Sequence, residues 1–188
     1  MGLRAWLQRK SSKEDLRLAE WRRRWSRAVE VADFEAVPAL QRELEALGLP
    51  DDDIEVEREM LDALLGMLHL QTKLGETGLP VVETGHRVIG ADTCHFSAPA
   101  SMPDDEGQPS GRLLLTSARA VFVGGARTST MPWHAVARVV QSERDIVVVR
   151  TDRESVHRFR CNTFTDAICG VLVARHLAAR PQSRPARS

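Results

Sequence analysis

Four side chains in this 188-residue sequence are candidates for a joint metal or nucleophilic site: the adjacent Cys94 and His95, and His157 and Cys161 far along the chain. Neighbours on a strand point to opposite faces, so Cys94 and His95 cannot readily hold one ion, and no C-x-x-C or H-x-x-x-H spacing accompanies them. A Cys–His nucleophile meets the same objection and has no third residue to orient it. Cys94, Cys161 and Cys169 are therefore expected to be buried and inert. His134, directly after Trp133, is expected to be exposed or capping. Gly124 and Gly125 form a turn signal and no phosphate-binding loop. Nothing here converges on a catalytic set, so the expectation is a non-enzyme without metal or cofactor.

Two groups could bind rather than react. In the run WRRRW, Trp21 and Trp25 stand at i and i+4 on one helical face, with Arg22, Arg23 and Arg24 between them. Such a set could stack on bases or meet a membrane interface. The competing reading makes both indoles core and the arginines their solvated rim. Upstream, Trp6 with Leu3 and Leu7 near a basic cluster could touch anionic lipid weakly. The second group is Arg150, Arg158 and Arg160, on strands at positions open to solvent. With Val147 and Val149 opposite Arg160 and Arg158, they could form a mixed docking patch on an outer sheet face. Four Trp, five Phe and no Tyr leave few stacking platforms for a sheet that binds nucleic acid.

Net charge is zero but unevenly placed. Residues 1–30 carry 9 Lys/Arg against 4 Asp/Glu, residues 31–80 carry 3 against 12, and residues 81–188 carry 14 against 10. A basic first helix and acidic ones after it can attract each other within one bundle. Hydrophobic residues at 43% and charged residues at 28% suit a soluble globular protein. No apolar run approaches the roughly 18 to 20 residues that span a bilayer, and no signal core is visible. Three widely spaced cysteines suit a reducing compartment, so a cytoplasmic location is expected.

The elements that must position these groups follow from periodicity. Residues 1–12 are expected as a flexible basic N-terminus. Ser12 with Asp15 resembles a capping box ahead of the stripe Leu18, Trp21, Trp25, Ala28 and Ala32, so a first helix is expected over about 13–32. Asp33 can cap a second helix with Leu40 and Leu44, closed by Gly48 and with Pro38 early in it. Asp51 to Asp53 supply a cap and first-turn acids for a third, with Ile54, Leu61, Leu64 and Leu68. The helical segment is thus 13–75, and the Gly-, Pro- and Thr-rich stretch 76–85 is expected as a linker.

After residue 86 short β-branched runs separated by turns predict strands near 88–98, 112–116, 120–124, 127–131, 136–141, 145–150 and 156–161. The turn at 151–155 is expected to place Asp152 opposite Ser155, hence Val148 opposite Phe159 and Ile146 opposite Cys161 on the core face. Thr163 can cap a last helix that ends before Pro181 and covers the open end of the sheets. The unit is thus 86–180, with 181–188 as a disordered tail.

The stretches GRLLLTSARAVFVGG, TMPWHAVARVV, DIVVVRTD and HRFRCNTFTDAICGVLVARHLAA together resemble the pleckstrin-homology-like (PH-like) superfamily, nearest its bacterial GRAM-like members. The run Leu115 to Phe122 (L-T-x-x-R-x-x-F), followed by P-W-x-x-V at Pro132 to Val136, carries the resemblance and reports packing and turns rather than a site. It implies an α+β chain: a three-helix segment, then a PH-like antiparallel seven-stranded β-sandwich or barrel capped by a C-terminal α-helix. Such domains bind lipids or proteins, usually without catalysis. Phosphoinositide-binding relatives use basic residues around the loop joining the first two strands, here 97–111. That loop carries Asp104, Asp105 and Glu106 and no Lys or Arg, which argues against phosphoinositide. The expected function is a binding or scaffold module for a protein partner. The alternative is peripheral membrane attachment through the basic, Trp-containing N-terminal helix.

Overall fold

The computed structural model describes residues 3–125, 127–152 and 155–180, with side chains from residue 13 onward. The expected tail 181–188 and the side chain of Trp6 lie outside the described residues. The chain divides into two units, Met1–Leu68 and His69–Ser188.

The first unit contains α1 (Leu3–Val31), α2 (Val37–Ala46) and residues 55–68 of α3 (Glu55–Glu76). Helix α1 starts at Leu3 and not near residue 13. The run from Leu3 to Lys10 has no Pro or Gly to stop a helix, so the helix carries through position 12 in place of beginning after it. Its other end turns out through Ala32, held at φ +53°, where Asp33 N–H donates to Ala28 O at 2.9 Å. Asp33 makes no side-chain cap. A 3-10 turn (Phe34–Ala36) leads instead into α2, whose first turn takes Pro38. Gly48, at φ +63°, closes α2 as expected from its freedom in the left-handed region. Asp51–Asp53 form another 3-10 turn ahead of α3, and Asp51 pairs with Arg58 at 2.5 Å. The core of this unit contains Trp21, Trp25, Leu40, Leu44, Met60 and Leu64.

The second unit is one antiparallel sheet of seven strands and a final helix. The strands are β1 (Cys94–Ser101), β2 (Ser110–Thr116), β3 (Arg119–Gly124), β4 (Thr128–Pro132), β5 (Val136–Ser142), β6 (Asp145–Arg150) and β7 (Val156–Cys161), in spatial order β4-β3-β2-β1-β7-β6-β5. Helix α4 (Phe164–Ala178) follows. The sheet curls into a shell: the rings of Phe122 on β3 and Phe159 on β7 are 6.1 Å apart, although β2 and β1 lie between their strands. On a flat sheet that separation would be about 14 Å. Thr163 caps α4 as expected, its hydroxyl accepting from Asp166 N–H at 3.0 Å. The helix then buries Ala167, Val171, Ala174 and Leu177 in the same core as Leu113, Phe122, Trp133 and Ile146. Together with the three N-terminal helices this is an α+β chain, and the capped shell is the PH-like arrangement that the resemblance implies.

Two expectations shift. The first strand begins at Cys94 and not at 88, because Val88 and Ile89 are used differently. With Val82 they lie on the outer face of the sheet against Cys94, Leu114, Val121 and Val123. Val82 N–H donates to Cys94 O at 2.9 Å, and Leu79 reaches the main core. The β6–β7 register also differs by two residues: Ile146 faces Phe159, and Val148 faces His157. Arg150 N–H bonds Ser155 O at 3.1 Å, so the loop is longer than the two residues assumed. A slip of two keeps every side chain on its expected face, since strand orientation repeats every second residue.

The motif residues explain the β2–β3 corner. The Thr116 hydroxyl accepts from Arg119 N–H at 3.1 Å, Trp133 Nε1 donates to Thr116 O at 2.8 Å, and Arg119 Nε meets Asp92 Oδ2 at 3.1 Å. These contacts fix the turn and bury the indole.

Candidate functional site

The tryptophans of WRRRW are core. Trp21 and Trp25 are 3% and 2% exposed, and their Nε1 atoms donate to Leu40 O at 2.8 Å and Met60 O at 2.6 Å. Helical spacing puts both on one face of α1, where their indole N–H groups find carbonyl partners on α2 and α3. No indole face is left for a base or a lipid. The arginines between them form the rim and are paired: Arg23 with Glu20, Arg24 with Glu43 at 2.5 Å, and Arg22 with Glu57 at 2.5 Å. Glu57 is itself 1% exposed, so Arg22 balances a buried carboxylate.

The sheet arginines also have partners. On β7, Arg160 donates Nε to Asp145 Oδ1 at 2.9 Å and Nη2 to Asp145 Oδ2 at 3.2 Å. Arg158 sits between Asp104 at 3.2 Å and Asp145 at 3.8 Å, and Arg150 meets Asp152 at 3.3 Å. Their side chains keep 52%, 42% and 40% exposure, so the heads lie at the surface but their charge is shared. The hydrogen bonds to Asp145 come first among the causes that push the Arg160 guanidinium further up from its ordinary value, followed by that residue's charge. Asp145 lay outside the sequence reading. Its signal was there: a carboxylate in an outward position of a valine-rich strand needs a cationic neighbour.

The loop between β1 and β2 is shorter than expected, since β1 runs to Ser101 and β2 begins at Ser110. Two of its three acids are engaged: Asp104 with Arg158, and Asp105 with Arg127 at 2.9 Å, which bridges to the turn between β3 and β4. Arg158 and Arg127 beside this loop therefore each have a carboxylate within reach, while Arg112 at the start of β2 donates to Ser97 Oγ at 3.0 Å; a phosphate would need free positive charge.

The thiols and imidazoles do not converge. Cys94 Sγ donates to Phe96 O at 3.2 Å, while His95 Nδ1 lies 2.8 Å from Pro80 O and so donates to it. His157 stacks against Phe159 at 6.5 Å. Burial pushes the Cys161 thiol up to about 12 and Cys169 up to about 11, in both cases reinforced by the charge of Asp166. Burial also raises Cys94, against a smaller opposing effect of its bond to Phe96 O. Such thiols are poor nucleophiles and poor metal ligands at neutral pH. Among the described residues no helix is long and apolar enough to cross a membrane.

Fold and site together define a capped antiparallel shell whose Arg127, Arg158 and Arg160 are paired with carboxylates. The chain matches no protein-family model and no curated protein. Among solved structures it is similar to the C-terminal domain of an unknown protein from Leishmania infantum, with TM-score 0.37 and 13% identity over 42% of this chain and 78% of that one. It is similar also to the DH/PH domains of p115-RhoGEF, with TM-score 0.43 and 11% identity over 84% and 57% of the two chains. A third is the N-terminal PH domain of human ARAP2, with TM-score 0.34 and 13% identity over 49% and 90%.

Proposed function

We propose that this chain is a non-catalytic binding or scaffold module, of bacterial GRAM-like type and cytoplasmic, that docks a protein partner. The observation that carries the reading is the pairing of Arg158, Arg160 and Arg127 with Asp104, Asp145 and Asp105. Carboxylates at that end of the shell oppose a phosphorylated headgroup, while a sheet surface of apolar side chains and paired charges suits a polypeptide. The raised thiols and the hydrogen-bonded His95 favour a binding role over chemistry. The test is chemical cross-linking of the intact protein in its host, with the partner then re-made pure and titrated against it. A saturable one-to-one complex is expected. Binding to phosphoinositide vesicles in place of any polypeptide would overturn the reading.

One observation favours the second reading, contact with an anionic membrane through α1. Leu16 is 68% exposed, next to Arg17 and close to Lys13, with the acids Glu14 and Asp15 preceding it. Co-sedimentation with phosphatidylserine vesicles at low and high salt tests it, and absence of binding at low salt removes it.

A further inference from the structure

The two halves of the sheet treat their outer faces differently. Over β1, β2 and β3 the outer face is covered by the chain itself: Val82, Val88 and Ile89 lie on Leu114 and Val121, and Asp92 pairs with Arg119 beside them. Over β5, β6 and β7 the pairing register sets three outward rows. These are Ser142–Asp145–Arg160, Val140–Val147–Arg158 and Arg138–Val149–Val156. Inward positions of the same strands, Val139, Ile146, Val148 and Phe159, are buried at 5% exposure or less, whereas Val156 is 53% exposed and Val140, Val147 and Val149 are partly so. Arg138 is exposed and has no ion-pair partner among the described residues. Four β-branched side chains in one surface patch, with a cation beside them, form an apolar face that no described residue of the second unit covers.

We propose that this face, Val140, Val147, Val149 and Val156 with Arg138 at its corner, is the docking surface for the protein partner, which supplies an extended apolar segment carrying a carboxylate. The proposal rests on the protein-binding reading above and assigns its surface. The chemistry of the occupant follows from the half that is already covered. There the protein closes an equivalent valine- and leucine-bearing face with β-branched residues and one Asp–Arg pair, and the open half presents the matching requirement. Charge complementarity singles out Arg138, since Arg158 and Arg160 already share Asp145. Addition of a further strand beside β5 is disfavoured, because Arg175 from α4 donates Nε to Val139 O on that edge at 2.9 Å. The segment therefore lies across the face.

The probe is a phage-displayed library of random dodecapeptides panned on the full-length protein, with enriched peptides synthesised and titrated by calorimetry. Enriched sequences are expected to pair β-branched or leucine residues with Asp or Glu. Their binding should weaken at least tenfold in Arg138→Glu and at least tenfold in Val156→Asp. Arg138→Lys should keep most of it. Circular dichroism of each variant guards against unfolding, and both changes lie on exposed positions. Enriched peptides that bind both variants as tightly as the parent overturn the assignment of the surface and leave the protein-binding reading standing. A library that yields no binder overturns both. Phosphatidylserine vesicles run alongside, and vesicle binding that Arg138→Glu abolishes assigns the patch to lipid and overturns the proposal.

Discussion

Arg160 holds Asp145 by two parallel hydrogen bonds across the β6–β7 pair, with Nε on Oδ1 at 2.9 Å and Nη2 on Oδ2 at 3.2 Å. Asp145 is 5% exposed, and its carboxylate also lies 3.8 Å from Arg158. The aspartate therefore links two strands and, through Arg158, the β1–β2 loop at Asp104.

Removing the Arg160 head should cost more than removing the carboxylate. Arg160→Ala is expected to lose about 1 to 3 kcal/mol, because it leaves the buried Asp145 with only Arg158 at 3.8 Å, whereas Asp145→Ala frees two guanidinium groups that already reach the surface. Urea denaturation of Asp145→Ala, Arg160→Ala and the double variant measures this. A coupling energy near zero would show that the pair contributes no more than an ordinary surface contact.

Gly170 lets α4 sit close to the sheet. A Cβ there would meet Ile146 Cδ1 at 2.4 Å and Phe96 Cζ at 3.0 Å. Gly170→Ala is expected to destabilise by about 1 to 3 kcal/mol through overpacking. Ile146→Val removes the offending methyl, so the double variant should be more stable than the sum of the singles predicts. Strict additivity in thermal melts would count against this account.

Two helix ends make opposite predictions about backbone strain. Ala32 sits at φ +53°, where a Cβ is unfavourable, so Ala32→Gly should stabilise the first unit by about 0.5 to 1 kcal/mol. Gly48 sits at φ +63° with nothing within 4 Å of a notional Cβ, so Gly48→Ala should cost about 1 kcal/mol from backbone alone. Chemical denaturation followed by tryptophan fluorescence reads both, since Trp21 and Trp25 are buried in that unit.

The thiols set a pH dependence. Folded Cys161 and Cys169 lose their protons near 12 and 11, above their ordinary value of 9.0. From pH 9 upward the unfolded chain releases protons that the folded chain retains, so stability present below pH 9 falls as pH rises toward 12. Urea midpoints at pH 8, 9.5 and 10.5 should decline, and less so in Cys161→Ala. Native-state alkylation by iodoacetamide at pH 8 should be slow at both residues and become fast in denaturant.

What lay open in the sequence is what short-range physics controls. The Thr163 cap depends on a bond to a residue three positions on, and the Thr116–Arg119 turn closes within four residues, so both are legible one residue type at a time. Alternation along β6 and β7 assigned Ile146, Val148 and Phe159 inward and Arg158 and Arg160 outward even though the register was off by two, because orientation has period two and pairing does not; Arg150, expected on the outer face, falls in the inward series of β6. The helical spacing of Trp21 and Trp25 put them on one face but left their environment open, since an apolar stripe looks the same whether it meets a neighbouring helix or a ligand. The tertiary fold decided that Val82, Val88 and Ile89 would cover a sheet instead of joining it, and that Arg158 and Arg160 would meet Asp104 and Asp145. It also decided which outer face of the second unit its own described residues leave uncovered. Those outcomes depend on contacts between residues far apart in the chain, and periodicity carries no information about who arrives from elsewhere.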